Sequence, residues 1–412
     1  MSSEGGAAAA AIADSGDPLA PLRDRFTLPG GTIYLDGNSL GAMPRAVVPA
    51  LGDALDRQWS TDLITSWNDN GWWELPMVVG DRIAGLIGAG PGQVMCGDST
   101  SIQLFQALVA GARLRPGRST VITDAANFPT DQYIADSVAR LLGLQLVRVH
   151  PSELAEHLDA NTAIVSLSMV DYRTGELFDV TSITAAVRNC GAIMLWDLCH
   201  CAGALPVNLD ALGAELAVGC TYKYLNGGPG SPAFIYLSRS IQAEVDLPLT
   251  GWHGHARPFD LEPSFRPAAD VQRARIGTPP LLSMLSLQAA LTAFDDVSID
   301  EIRRKSLGLT DLVIAYADQR LTGFDVEVVT PREHDRRGSQ VCLRMPYAYE
   351  VCQALIGRGV IGDFRAPDLL RLGLAPLYLR YGEVHDAMTV LEDVLASKAY
   401  LDPSLSLRSA VT

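Results

Sequence analysis

Between Gln93 and Leu237 the chain repeats one rhythm, a short apolar run followed by an amphipathic stretch. The apolar runs fall at Gln93–Gly97, Thr120–Thr123, Gln145–Val149, Ala163–Met169, Ala192–Trp196, Leu216–Cys220 and Ala233–Leu237. Most are rich in Val, Ile or Leu and near-continuous rather than alternating, as strands covered on both faces should be. Helical periodicity lies between several of them, at Ser101–Leu114, Pro129–Leu142 and Ser182–Asn189. That order predicts an α/β fold with a largely parallel, seven-stranded sheet. Ligands of such sheets collect outside the carboxyl ends of the strands.

Beyond this region the rhythm changes. Ser298 and Glu301 form a capping box that starts a long helix, continued by the periodic face Leu309, Leu312, Val313 and Tyr316. Two short strands follow at Asp325–Thr330 and Gln340–Met345, then a helix near Tyr349–Ile356, a further strand pair and a helix near Glu383–Leu395. At 412 residues the chain is long enough for two domains. The expected division is a disordered tail of small residues at 1–17, a segment at 18–60 packing with the smaller domain, a large domain at 61–297 and a smaller α+β domain at 298–412. The strand-like Thr32–Leu35 belongs to the second of these segments. There is no internal repeat.

Charge and cysteine content narrow the class. A formal charge of −15 argues against nucleic acid or an anionic membrane as partner, though not against a small anionic ligand. The Ala7–Ala13 run has no cationic segment before it and is too short to span a bilayer, and no other apolar stretch approaches a membrane helix. Seven cysteines, an odd number without CxxC spacing, read as free thiols in a reducing cytosol. Cys199 and Cys201 flank His200, and His253 and His255 share a glycine-rich loop, but neither group has further ligands at tetrahedral spacing. No metal is expected.

Two strand ends carry chemistry. Asp197 follows the apolar run ending at Trp196, and Lys223 lies shortly after the run ending at Cys220, within Tyr222-Lys223-Tyr224-Leu225-Asn226-Gly227-Gly228. An acid and a lysine at neighbouring strand ends can face one ligand. Pyridoxal phosphate needs that pair, a lysine to hold its aldehyde and a carboxylate to keep the pyridine nitrogen protonated. Asp98-Ser99-Thr100-Ser101 opens the helix of the first strand-to-helix turn, where free N–H groups and hydroxyls either cradle a phosphate or simply cap the helix. Phe128-Pro129-Thr130-Asp131 follows the next strand; it reads as a helix start with proline in the first turn, or as an aromatic and an acid beside a planar ring.

Further segments complete a resemblance. They are Tyr34–Gly41, Ile64–Asn68, Asn127–Asp131, Trp196–His200, Gly219–Gly230, Gly251–His255, Val329–His334, Gly359–Asp363 and Arg371–Tyr378. Together they resemble the kynureninases, the bacterial type in particular, from about residue 18 onward. The lysine motif alone specifies only the larger aminotransferase-like superfamily. The resemblance implies the fold of pyridoxal-phosphate enzymes of fold type I, a homodimer with sites at the subunit interface, and hydrolysis of the Cβ–Cγ bond of L-kynurenine to anthranilate and L-alanine. Carried over by position, Lys223 would hold the cofactor and move the α-proton, Asp197 would pair with the pyridinium, and Tyr222 would reach the phosphate and relay protons. Thr100 and Ser101 would hold phosphate, Phe128 would stack on the ring, and Asp131, Ser168 and His200 would line its polar edge. Trp252 and Thr278 match positions supplied by the partner subunit. Arg371 matches the arginine for the substrate carboxylate, a task suited to a bidentate guanidinium.

Substrate preference turns on Trp67, Gly277 and Thr278. Animal-type enzymes that prefer 3-hydroxykynurenine resemble one another in a histidine near 67 and a Ser-Asn pair near 277–278. A bulky indole at 67 leaves less room for a 3-substituent; Trp67 is equally compatible with a plain core role. Trp72-Trp73, His253, Cys199 and Cys201 depart from the usual bacterial pattern, which either retunes the pocket for a substituted kynurenine or has no consequence. Rival readings are a cysteine desulfurase or class V aminotransferase of the same superfamily, and a catalytically idle relative. A desulfurase needs a cysteine on a mobile loop, and no segment presents an obvious one. An idle relative would be marked by loss of Lys223, Asp197 or Arg371, and all are present.

Overall fold

Continuous burial makes the central sheet. In the computed structural model, which describes residues 3–408, the apolar runs become strands β1 (Val94–Cys96), β2 (Thr120–Asp124), β3 (Gln145–Val149), β4 (Thr162–Ser168), β5 (Ile193–Asp197), β6 (Leu216–Gly219) and β7 (Phe234–Leu237). They form one seven-stranded sheet in the order β1-β7-β6-β5-β4-β2-β3. β7 runs antiparallel to both of its neighbours, and the remaining pairs are parallel. Every residue of β1, β2, β5, β6 and β7 is buried. Edge strand β3, with Gln145 and Arg148, is only partly covered.

The chain divides into two compact units, one made of residues up to Ala46, Val170–Leu177 and the chain from Thr292 onward, the other of Val47–Met169 and Phe178–Leu291. Val170–Leu177 forms its own antiparallel bridge and pairs with the later segment of its unit through Glu176 and Arg337. The unit containing the sheet also holds α2 (Thr100–Arg113) and α3 (Pro129–Leu142), the helices that follow β1 and β2.

The other unit has a four-stranded antiparallel sheet with strands Glu327–Val328, Gln340–Arg344, Leu369–Gly373 and Asp363–Arg365, in that spatial order. Ile33–Tyr34 pairs in parallel with Val360–Ile361. Ser298 and Glu301 make the reciprocal capping box at the head of the helix Ile299–Arg320.

The N-terminal residues correct the sequence reading. Ser3–Ser15 is a helix, α1, rather than part of a disordered tail. Alanine has the strongest helix propensity, yet an isolated helix this short is marginal in water. Tertiary contacts supply the rest. Ala10 is buried. The Asp14 carboxylate accepts the backbone N–H groups of Tyr381 and Gly382, 2.7 and 2.9 Å away, at the start of the helix Tyr381–Ser397. Just beyond, Asp17 pairs with Lys305 at 2.7 Å, both side chains inaccessible. No helix among the described residues is long and apolar enough to cross a membrane.

Candidate active site

Parallel pairing of β5 with β6 sets the main group. Asp197 ends β5 opposite Val218, and Ser168 ends β4 opposite Asp197. The Ser168 hydroxyl lies 3.2 Å from one Asp197 carboxylate oxygen, and the Cys199 N–H donates to the other at 2.7 Å. Both oxygens are thus held while the side chain stays buried. Lys223 lies four residues past β6, in a loop locked by several contacts. Asn226 takes a left-handed φ of 58° and donates its N–H to the Lys223 carbonyl at 2.9 Å, Gly227 donates to the Thr221 carbonyl at 2.9 Å, and the Thr221 hydroxyl bonds Ser231 and Pro232. A Cβ at Gly227 would sit 2.3 Å from the Ser231 hydroxyl, so this turn requires glycine. The result is Lys223 Nζ 2.9 Å from His200 Nε2 and over the Tyr222 ring at 5.9 Å. The Cys220 sulfur, together with burial, holds the Tyr222 phenol above its ordinary pKa.

Asp131 stands in the first turn of α3 and is buried. Burial, then the charge of Asp197, push its carboxyl well above the usual range, and Lys223 opposes them. Phe128, the residue before α3, is 44% exposed. Thr100 and Ser101 are the first residues of α2, and Ser99 rather than either of them caps the helix, accepting from the Ile102 N–H at 3.4 Å. Their hydroxyls are therefore not consumed by capping.

Asn127 carries no individual role in the sequence reading. Its side-chain oxygen receives the Phe128 N–H at 2.8 Å and lies 2.9 Å from the Ser168 hydroxyl. Its Nδ2 is a buried donor with no acceptor among the described residues. The sequence signal was its place immediately before Phe128. An unsatisfied buried donor beside a fixed carboxylate and an amine suits the polar edge of a pyridine ring, and the donor set fits pyridoxal phosphate.

A second cluster lies in the same unit. The Gly251 and Gly254 backbones press against the chain at 273–276: a Cβ on Gly251 would be 1.6 Å from the Ile276 carbonyl, and one on Gly254 2.5 Å from that of Arg275. This brings Trp252 and His253 beside the segment leading to Gly277 and Thr278. Gly277, Thr278 and Arg275 line a cavity of about 20 Å³ together with Gly97 and Asp98, just before α2. The Trp67 ring lies 5.9 Å from those of Trp72 and His253 and 6.3 Å from that of Trp73. Trp67 is half-buried, neither a sealed core residue nor a free surface one.

Arg371 belongs to the other unit and is fully buried. Its Nε and Nη2 engage both oxygens of Asp363, Nη2 also donates to the Ser39 hydroxyl at 2.9 Å, and Nη1 donates to the Tyr172 carbonyl at 2.8 Å. A guanidinium has five N–H donors, so the bidentate edge expected for a substrate is already occupied by Asp363 and one Nη1 hydrogen is left.

The chain matches known proteins along almost its whole length. Residues 302–391 match the family described as Kynureninase C-terminal domain. Kynureninase of Burkholderia pseudomallei (strain 1106a) is 47% identical over 407 residues, 97% of this chain and 98% of that one. Kynureninase of Pseudomonas fluorescens is 45% identical over 406 residues, with the same coverage. Among solved structures, a cysteine desulfurase from Escherichia coli is similar with a TM-score of 0.78 at 18% identity, covering 92% of this chain and 98% of that one. A C-DES mutant with glycine covalently linked to the PLP cofactor gives a TM-score of 0.79 at 16% identity, covering 90% and 99%. At such identities these two structures share the fold.

Proposed function

The chain belongs to the kynureninase family, and from that membership we propose that it uses pyridoxal phosphate to hydrolyse the Cβ–Cγ bond of L-kynurenine, giving anthranilate and L-alanine. The observation that carries the reading is the meeting of Lys223, His200 and a doubly held Asp197 beyond the ends of adjacent parallel strands. When bound, pyridoxal phosphate supplies the electron sink that makes the bond labile.

Each residue then has a task. Lys223 Nζ would hold the aldehyde and would carry the substrate's α-proton, and His200 Nε2, 2.9 Å away, would orient the amine. Asp197, fixed by Ser168 and the Cys199 N–H, would keep a proton on the pyridine nitrogen. Asp131, Ser168 and Asn127 would line the polar edge of the ring, and Phe128 would cover its face. Thr100 and Ser101 bind phosphate with hydroxyls and N–H groups at the start of α2. Tyr222, whose raised pKa keeps the phenol protonated at neutral pH, acts as proton donor. Arg371 binds the substrate carboxylate through its remaining donor, with Asp363 fixing the guanidinium. Trp67 and Gly277 border the aryl ring.

We further infer a cytoplasmic homodimer in which Trp252 and Thr278 serve the partner's site. Trp252 is 43% exposed and its ring lies 6.0 Å from that of Phe259, itself exposed, and Trp59, Leu63, Ile64 and Leu261 are exposed in the same unit. A desulfurase reading is disfavoured, because six of the seven cysteines are buried and Cys190 is partly covered.

The test is purified protein with L-kynurenine, following anthranilate fluorescence and alanine. The expected result is equimolar products, lost by more than a thousandfold in Lys223→Ala together with the cofactor's visible absorbance band. Alanine and sulfide from cysteine, with no anthranilate from kynurenine, would defeat the assignment.

A further inference from the structure

His253 sits among aromatic rings with one nitrogen satisfied and the other not. Its Nδ1 is 2.9 Å from Arg275 Nη2, and a guanidinium can only donate, so Nδ1 accepts. Burial, then the charge of Arg275, depress the imidazole pKa to about 4, so the ring is neutral in neutral solution. A neutral imidazole that accepts at Nδ1 carries its hydrogen at Nε2. That Nε2–H is buried and has no acceptor among the described residues. Arg275 holds the arrangement from below: Nη2 also donates to the Trp73 carbonyl at 2.8 Å, and the guanidinium lies 4.7 Å from the centre of the Trp73 ring. The imidazole stacks on Trp73 at 4.5 Å and 28°, meets Trp252 edge-on at 4.1 Å, and lies 5.9 Å from Trp67.

Leaving a buried donor unpaired costs about 1–3 kcal/mol. Here the donor stands beside Trp67, which the proposed function places at the aryl ring, and Trp252, which it gives to the partner's site. Its tautomer is fixed by a buried arginine that has no carboxylate partner of its own among the described residues. Such a donor discriminates between ligands that offer an acceptor and those that do not.

We propose that His253 is a specificity-determining residue, its Nε2–H reading an oxygen substituent on the aryl ring of the kynurenine, with Arg275 as the positioning residue that fixes the tautomer. This rests on the kynureninase reading and adds a substrate subclass, ring-oxygenated kynurenines, to it. The readout is the ratio of kcat/KM for the 3-, 4- and 5-hydroxy derivatives to kcat/KM for L-kynurenine. His253→Phe alone strands an Arg275 donor, so the informative variant is the double change His253→Phe with Arg275→Leu, which keeps the box apolar. The expected result is a tenfold or greater fall in the ratio for the best hydroxylated substrate. His253→Gln, whose amide can accept from Arg275 and still donate, is expected to recover the ratio to within threefold. A ratio unchanged in the double variant, or a proportional fall for all substrates, overturns the inference. Absence of turnover of every kynurenine by the wild type overturns the reaction as well, which separates the two failures.

Discussion

Asp36 shows how a single residue sets a pH response. Burial, then repulsion from Asp363, raise its carboxyl from 3.8 to about 7, against a hydrogen bond from Ser39 and the charges of Arg371 and Arg365. Between those two values the folded chain binds a proton that the unfolded chain has released, so this residue's contribution to stability falls as pH rises through the window. Asp36→Asn is therefore expected to stabilise the protein by roughly 1–3 kcal/mol at pH 8 and by little at pH 4. Thermal midpoints of both forms across that range check it; an equal difference at both ends would refute the assignment. Lys223 and Asp197 were legible in the sequence because each sits directly in a motif at a strand end. The use of Asn127 as a bridge was not, since its partner Ser168 lies 41 residues away. The His253–Arg275 contact, 22 residues apart, left only an unusual histidine to notice.

At the scale of elements, α1 gains its stability from what it touches. Asp14 caps the backbone of the helix beginning at Tyr381, and a lost cap of this kind costs about 1 kcal/mol. Asp14→Ala should lower the unfolding free energy by about that amount and speed proteolysis near the N-terminus. Limited digestion paired with a denaturant titration measures both, and an unaltered cleavage rate would count against the contact. The central strands were readable because burial on both faces leaves an uninterrupted apolar signature. The capping box at Ser298 was readable because both partners lie within three residues. α1 was hidden for the converse reason: a run of small residues carries no periodic stripe, and its partners lie more than 360 residues further along.

For the whole molecule the proposed homodimer makes the sharpest claim. Ile64→Asp, a charge on an apolar residue 76% exposed, should shift the particle from dimer toward monomer and cut activity by at least tenfold if Trp252 and Thr278 act across the interface. Analytical ultracentrifugation beside the anthranilate assay decides it; a fully active monomer would end the shared-site reading. The α/β class of the molecule followed from strand rhythm. The excursion at Val170–Leu177 did not, because an eight-residue detour leaves no mark in composition or periodicity. That detour makes the chain interleaved rather than modular. One unit is assembled from three stretches of sequence and the other from two, so no single cut of the polypeptide or its gene yields either unit whole. On the ribosome, the sheet-bearing unit has its full sequence once Leu291 has emerged. The first 46 residues must wait for the chain after Thr292 before their unit is complete, and a stalled or truncated product carries them without it.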